Sequence, residues 1–274
     1  MIDFTRKDHY DYDDLVALIH LLRSPGGCPW DQEQTHRSIR RNFLEEAYEA
    51  AEAIDEDDPV HLCEELGDVL TQVVFHGDIE QDAGRFALGD IYDGVCKKMI
   101  LRHPHVFGQT QVSGSGEVLK NWEEIKREEK GQKTDADALR AVAKSLPALW
   151  RADKLQKKAA RAGFAWPDAD AALDKLSEET EELRRAFAGD GDPAEELGDV
   201  LFAAVCAGAF RNVDPEEALH AACEKFIRRF AAMESLAAAD GRRPEDCSAE
   251  ELTGLWKKAA SREKHNSPAA GNPK

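Results

Sequence analysis

Seven residues, Glu-Glu-Leu-Gly-Asp-Val-Leu, occur twice in this chain, at positions 64–70 and 195–201. Each copy follows a second group of glutamates. The first group is Glu45, Glu46 and Glu49, and the second is Glu178, Glu179 and Glu182. Carboxylates brought together from two helices can hold a hard divalent cation. The repeat of both groups in the same order indicates a duplicated module, and we expect the functional site within it.

Helical geometry predicts that the acidic groups of the second copy converge. At about 100° per residue, Glu178, Glu179 and Glu182 fall within an arc of about 100° on one helix. Glu196 and Asp199 are three residues apart and share a face of the next helix. A short turn joins the two helices, so we expect them to pack antiparallel. Gly198 lacks a side chain and is expected to let the two backbones approach closely. The equivalent residues of the first copy are Glu46, Glu49, Glu65 and Asp68.

The ligand types indicate which metal such a site would hold. All-carboxylate sites favour Mg²⁺, with Mn²⁺ as a substitute, over zinc. Mg²⁺ usually completes its shell with water and substrate phosphates, which points to a polyphosphate ligand. One acidic cluster alone is typical of a helix face exposed to solvent. Its recurrence beside a mid-helix glycine favours a metal site. A di-iron bundle would add Glu-x-x-His motifs, and the spacing from Glu33 to His36 lies outside both clusters.

Basic residues that could bind phosphate follow the second acidic copy. Lys225 and Arg229 share a helix face and Arg228 lies beside them, while Lys175 lies one turn before Glu179. Trp256 could stack on a base or belong to the core, and the sequence does not separate these readings. As a set, the basic residues indicate phosphate binding.

The whole chain has the composition of an all-α protein made of tandem helical-bundle modules. Ala, Leu, Glu, Lys and Arg dominate, and no segment alternates apolar and polar residues over the length of a strand. We expect an N-terminal module at 1–130, a polar linker at 131–144, a C-terminal module at 145–262 and a disordered tail at 263–274.

Composition also excludes some partners. The formal net charge of −18 argues against a surface that binds nucleic acid. No apolar run approaches the roughly 18 residues of a membrane helix, and the N-terminus lacks the apolar stretch of a signal peptide, so a cytoplasmic protein is expected. The six cysteines form no Cys-x-x-Cys pair and are expected to be mostly buried.

The acidic motifs and their surroundings resemble a known family. Leu44-Glu45-Glu46-Ala47-Tyr48-Glu49 with Glu65-Leu66-Gly67-Asp68, and their second copy, are similar to the Glu-Glu-x-x-Glu … Glu-x-x-Asp signature of the MazG nucleoside triphosphate pyrophosphohydrolases. The segments at 27–31, 102–107 and 163–166 also resemble the two-domain members.

This resemblance implies a homodimer that uses Mg²⁺ to cleave NTPs and dNTPs into the monophosphate and pyrophosphate, in nucleotide-pool house-cleaning or regulation. The family's metal ligands correspond to Glu179, Glu182, Glu196 and Asp199. Its nucleotide-contacting positions correspond to Lys175, Glu178, Lys225, Arg228, Arg229 and Trp256. Glu178 is the proposed base that orients the water.

The two copies are predicted to differ in activity. The first has Lys98, Leu101 and Arg102 where the second has Lys225, Arg228 and Arg229, and Asn42 corresponds to Lys175. Each lost charged hydrogen bond is worth roughly 1.5–3 kcal/mol, so the C-terminal module should be the main catalyst. The alternative is a non-catalytic helical regulator that binds a nucleotide without turnover.

Overall fold

The structure is a computed structural model that describes residues 4–266. Within these residues the chain forms α-helices, one short 3-10 helix and no strand, which confirms the all-α prediction. It divides into two compact units, the first ending at Lys126 and the second beginning at Arg127.

Unit 1 is built around a helical hairpin. Its helices are α1 (Tyr12–Arg23), α2 (Pro29–Glu33), α3 (Arg40–Asp55), α4 (Pro59–Asp82), α5 (Leu88–Arg102), α6 (Pro104–Phe107) and α7 (Ser115–Glu129), whose last residues pass into unit 2. Asp58 caps α4 by accepting hydrogen bonds from the backbone N–H groups of Val60 and His61. Because Pro59 lacks an N–H, it fits the first position of the helix. The hairpin α3–α4 packs with α1 and α5 on α4 around a shared core. That core contains Ile19, Ile39, Val74, Phe75 and Leu88.

Unit 2 repeats the hairpin. Its helices are α8 (Asp135–Arg140), α9 (Ala148–Arg161), α10 (Ala169–Phe187), α11 (Pro193–Ala209), α12 (Pro215–Ala239) and α13 (Ala249–Asn266), with a 3-10 helix at Pro244–Asp246. Asp192 caps α11 through the N–H of Ala194 at 2.9 Å, and Pro193 opens the helix. The turn before it needs Gly189 and Gly191, whose φ angles are +99° and +122°. This turn fixes the pairing of α10 with α11, the two acidic helices.

The remaining helices of unit 2 pack around α9. This helix contacts both α11 and α12, and α12 also packs against α13. The indole Nε1 of Trp150 donates to Oδ1 of Asp214 at 3.0 Å, which ties α9 to the cap of α12. The core between α12 and α13 contains Met233, Ala237, Leu255 and Ala259.

Several expectations differ from the structure. Residues 135–140 of the predicted linker form α8, which packs against α9 behind the capping residue Thr134. Helix α13 continues to Asn266, so the predicted tail is helical at 263–266, and residues 267–274 lie outside the described residues. The prediction of mostly buried cysteines was wrong, since Cys63, Cys96 and Cys223 are exposed.

The expected role of Gly198 was also wrong. A Cβ built at Gly198 meets no atom within 4 Å, so this glycine is not where α10 approaches α11. Gly67, its counterpart in unit 1, also faces open space. The acidic helices therefore pack through other residues.

None of the helices in the described part of the chain is both long enough and apolar enough to cross a membrane.

Candidate active site

The acidic cluster of unit 2 comes from α10 and α11. Glu179 and Glu182 on α10 and Glu196 on α11 each place a carboxylate oxygen within 4.8 Å of the others. Glu179 is buried and the other two are half-buried. Burial raises the pKa of Glu196, and the charges of Glu182, Asp199 and Glu179 raise it further. A cation among these carboxylates would relieve the repulsion.

Residues beside the cluster already partly balance its charge. The ammonium of Lys175 donates to Glu178 at 2.8 Å and lies 2.7 Å from Oε1 of Glu179. These hydrogen bonds raise the pKa of Lys175. Glu182 pairs with Arg185 at 2.9 Å. Glu178 is exposed, and its carboxylate points to Lys175 on the same helix.

A cavity of about 240 Å³ adjoins this cluster. Lys175, Glu179 and Asp199 line it on the acidic side. Its other walls are mostly apolar and aromatic: they comprise Gln156, Ala159, Phe164, Ala165, Trp166, Phe202, Ala203 and Cys206. Asp199 thus shares the cavity with Glu179, although it lies outside the group of oxygens within 4.8 Å. The aromatic walls suit a planar ring, and the carboxylates at the edge suit a cation, which could in turn bind negative charge on the same ligand.

The basic residues of α12 have other partners. Nε of Arg229 donates to Oε2 of Glu263 on α13 at 2.6 Å, and Arg228 contacts the same carboxylate at 3.4 Å. The hydrogen bond from Arg229 lowers the pKa of Glu263. Lys225 is exposed. Across residues 4–263, no hydrogen bond or ion pair joins these three basic residues to the carboxylates of α10 or α11.

Trp256 lies on α13, away from the lining of the cavity. Its ring centroid is 5.1 Å from that of Phe226, and its side chain packs against the core between α12 and α13. Of the two alternatives for Trp256, its position in the structure matches the one in which it belongs to the core. The aromatic lining of the cavity comes from other residues.

Unit 1 has an equivalent acidic cluster. Glu46 and Glu49 on α3 and Glu65 on α4 offer oxygens within 4.8 Å of one another. Burial raises the pKa of Glu46, followed by the charges of Asp68, Glu49 and Glu65. Glu65 is buried, and its Oε2 has no hydrogen-bond partner among the described residues. Such an orphaned carboxylate oxygen fits a bound cation, because it would otherwise remain desolvated and unpaired.

Comparison with known proteins decides the family. The model of the MazG nucleotide pyrophosphohydrolase domain matches the chain twice, at residues 34–107 and 168–232. The chain belongs to the MazG family. Each match contains one acidic hairpin, α3–α4 or α10–α11.

Two relatives resemble the chain over most of its length. The nucleoside triphosphate pyrophosphohydrolase/pyrophosphatase MazG of Thermotoga maritima is 43% identical over 251 residues, covering 90% of this chain and 95% of the relative. The nucleoside triphosphate pyrophosphohydrolase of Escherichia coli K12 is 41% identical over 256 residues, covering 92% and 97%. As a MazG family member, the chain is a hydrolase.

The two MazG hairpins differ in their aromatic neighbours. In unit 1, Arg102 is buried with its guanidinium carbon 5.1 Å from the ring centroid of Trp122, and Nζ of Lys126 lies 4.6 Å from the same centroid. These two cations pack against the aromatic ring. Trp256 of unit 2 follows Asp199 by 57 residues, much as Trp122 follows Asp68 by 54, and it contacts Phe226 instead.

Sequence reasoning missed the cavity lining. Phe202 and Gln156 were not singled out, and Trp166 entered only within segment 163–166, which resembles the two-domain members. The signal was an apolar stretch following Asp199 on α11, but helical spacing does not show which of its residues face a cavity.

Two further polar clusters of unit 1 lie outside the repeat motif. His20, Asp78 and Asp82 have metal-ligand chemistry, but Arg23 pairs with both aspartates and already supplies the cation.

The second cluster contains two histidines, His36 and His76, whose Nδ1 atoms are 2.7 Å apart. Glu80 accepts hydrogen bonds from both His36 and Arg85. The hydrogen bonds from Arg85 lower the pKa of Glu80 to about 2. Burial lowers the pKa of His76, and the neighbouring His36 lowers it further.

Proposed function

We propose that this MazG family member is a Mg²⁺-dependent nucleoside triphosphate pyrophosphohydrolase. It hydrolyses the bond between the α- and β-phosphates and releases pyrophosphate and the monophosphate. The observation that carries the proposal is the convergence of Glu179, Glu182 and Glu196 beside an aromatic cavity. Both relatives carry names of the same activity.

The donor set suits a hard cation. Glu179, Glu182, Glu196 and Asp199 offer only carboxylate oxygens, which favour Mg²⁺ and accept Mn²⁺. When bound, the ion neutralises phosphate charge and lowers the pKa of a coordinated water. Burial raises the pKa of Glu196, and repulsion from Glu182, Asp199 and Glu179 raises it further. The repulsion supports this assignment, because a cation would relieve it.

Glu178 and Lys175 act in the attack of water on the α-phosphate. Water oxygen forms a bond to the α-phosphorus while the bond to the bridging oxygen breaks, and that oxygen leaves with pyrophosphate. Glu178 accepts the proton from the water, for which it must exchange its hydrogen bond with Lys175. Lys175 lines the cavity and is placed to contact phosphate once released from Glu178 and Glu179.

The basic residues of α12 stabilise the leaving pyrophosphate in this proposal. Lys225 is exposed, while Arg228 and Arg229 share Glu263. Pyrophosphate would replace the carboxylate of Glu263 as the partner of Arg228 and Arg229. Both partners are anionic, but pyrophosphate has more acceptor oxygens. Trp256, next to Phe226 on the adjoining helix, remains a proposed nucleotide contact.

We assign the cavity to the nucleobase. Phe164, Trp166 and Phe202 provide aromatic surface, and base stacking on such surface tolerates different bases. The phosphates would then lie beside the acidic cluster, bound through a cation held by Asp199 and Glu179.

The C-terminal module is the main catalyst in this proposal. Asn42 replaces Lys175 in unit 1, and Leu101 replaces Arg228. The buried Arg102 stacks on Trp122. The first module keeps its ligands Glu46, Glu49, Glu65 and Asp68 but has fewer cations to hold a triphosphate.

We also propose that the chain forms a homodimer. Helix α11 exposes Leu197 and Leu201 to about 48% and 47%, beside the open position of Gly198. Large apolar side chains exposed together on one helix are typical of a protein–protein contact. A glycine beside them lets a second helix approach closely.

The rival function is a helical regulator that binds nucleotides without turnover. It requires the same cavity and the same acidic cluster, so geometry alone does not separate it from the enzyme. The names of both relatives favour turnover.

Product analysis tests the proposal. Purified protein is incubated with a panel of NTPs and dNTPs, with and without Mg²⁺, and the products are separated by chromatography. We expect monophosphate and pyrophosphate in equal amounts, formed only with the metal. Orthophosphate as the first product would reject the choice of bond, and binding without any product would favour the regulator.

A further inference from the structure

One uncharged carboxamide lies in the lining of the cavity in unit 2. Gln156 projects from α9, which packs against α11, the helix that carries Phe202 and Cys206. Its Oε1 is shielded from solvent and has no hydrogen-bond partner among the described residues. Buried polar atoms of native proteins are nearly always paired, so an unpaired one requires an explanation.

Few polar groups surround the carboxamide of Gln156. Ala159, Phe164 and Cys206 are apolar or weakly polar lining residues, and the charged lining residues Lys175 and Glu179 belong to the acidic side. Water is excluded from Oε1, and an unpaired amide oxygen in such a place is costly. A ligand in the cavity would pair with this oxygen once the carboxamide turns toward the cavity, because Oε1 is shielded in its present position.

We propose that Gln156 is a specificity-determining residue that reads the edge of the nucleobase in this cavity. The inference rests on the proposed function, because it takes the cavity ligand to be the base of a nucleoside triphosphate. The aromatic walls would stack on the faces of the ring, and the carboxamide would contact its edge.

The chemistry of the amide sets what it can recognise. A carboxamide presents an acceptor and a donor side by side, the pair that glutamine uses against the N6 amino group and N7 of adenine. A turn of its last torsion by half a circle exchanges the two atoms. Every nucleobase has an edge with an adjacent donor and acceptor, so Gln156 would accept several bases and reject rings that lack this edge.

A pair of triphosphates that differ in one amino group tests the inference. The probes are ATP and purine riboside triphosphate, which lacks the 6-amino group. Their dissociation constants are measured by calorimetry with Ca²⁺ in place of Mg²⁺, separately from the pyrophosphate assay. We expect the full-length protein to prefer ATP by about tenfold, the value of one lost hydrogen bond in a buried site.

Two variants and a control identify the residue responsible. Gln156→Met keeps the volume of the side chain but cannot form the hydrogen bond to the base. This variant should bind ATP and purine riboside triphosphate about equally. Gln156→Glu keeps an acceptor for the amino group and should retain a preference for ATP. Gln132→Met, elsewhere in unit 2 and outside the cavity lining, should behave as the unaltered protein.

The ratio of the two constants within each variant is independent of small losses of folded protein. No preference for ATP in the unaltered protein, or an unchanged preference in Gln156→Met, would overturn the role of Gln156. If neither triphosphate releases pyrophosphate with Mg²⁺, the proposed reaction is rejected. The ratio of dissociation constants would still show whether Gln156 distinguishes the two bases.

Discussion

At the residue level, the duplicated ligands have unequal surroundings. Glu46 and Glu179 occupy matching positions in the two acidic clusters. Beside Glu179, however, Lys175 lies 2.7 Å away and an aromatic cavity opens, whereas Asn42 takes the place of that lysine in unit 1. On the proposed function, we therefore expect a metal to bind at both clusters and a triphosphate to be held well at only one.

This asymmetry predicts different outcomes for two identical substitutions. Glu179→Gln keeps the side-chain volume but removes a ligand charge, and we expect pyrophosphate release to fall by about 100-fold or more. Glu46→Gln should leave most of the activity. Steady-state pyrophosphate release from both variants provides the measurement.

Glu181→Gln is the matched control, because Glu181 is exposed on the same helix and pairs with Arg184 instead of the cluster. It should retain full activity. A larger loss from Glu46→Gln than from Glu179→Gln would assign catalysis to unit 1.

At the level of elements, local signals in the sequence account for where the second helix of each acidic hairpin begins. Asp58-Pro59 and Asp192-Pro193 each supply a capping carboxylate and a proline suited to the first turn, and the helices begin there. The approach of three glutamates in each cluster agrees with helical spacing and the short turn between each pair of helices, whereas Asp68 and Asp199 lie outside these groups.

Features that depend on packing between distant elements were not predictable. The pairing of Arg229 with Glu263 joins residues on two helices that could have packed in other ways. The cavity likewise needs α9 against α11, and no local pattern of Gln156 or Phe202 reports this. The expected close approach at Gly198 failed for the same reason, since helical spacing does not show which face the partner helix occupies.

Gly198 offers a prediction about helix α11. An added Cβ meets open space, and alanine in an exposed helix is more favourable than glycine by about 0.5–1 kcal/mol. Gly198→Ala should therefore raise the free energy of unfolding of the unliganded monomer in urea, measured at a protein concentration below the dimer dissociation constant. It should also weaken dimerisation, because the methyl group would keep a second helix from approaching closely.

Gly254→Ala on α13 is the matched control, since Gly254 also faces open space within a helix. It should raise stability by a similar amount and leave the dimer unchanged. If Gly198→Ala left dimerisation intact, a close helix contact at this glycine would be excluded.

At the level of the whole molecule, the apolar surface of α11 has to be reconciled with a formal charge of −18. Chains with the same large net charge repel one another, and the effect weakens with salt. The proposed dimer would therefore depend on apolar burial, and we expect moderate salt to favour it.

Light scattering after size exclusion should give about twice the 30.4 kDa of one chain, with the dimer constant tightening as salt is added. Leu201→Glu places a charge at the centre of the exposed apolar face of α11, where its burial in an interface would be costly, so this variant should elute as a monomer. Thr253→Glu adds the same charge at an exposed position of α13 and should remain a dimer. If Leu201→Glu kept the dimer mass while Thr253→Glu lost it, the interface would lie on α13 and the assignment to α11 would be wrong.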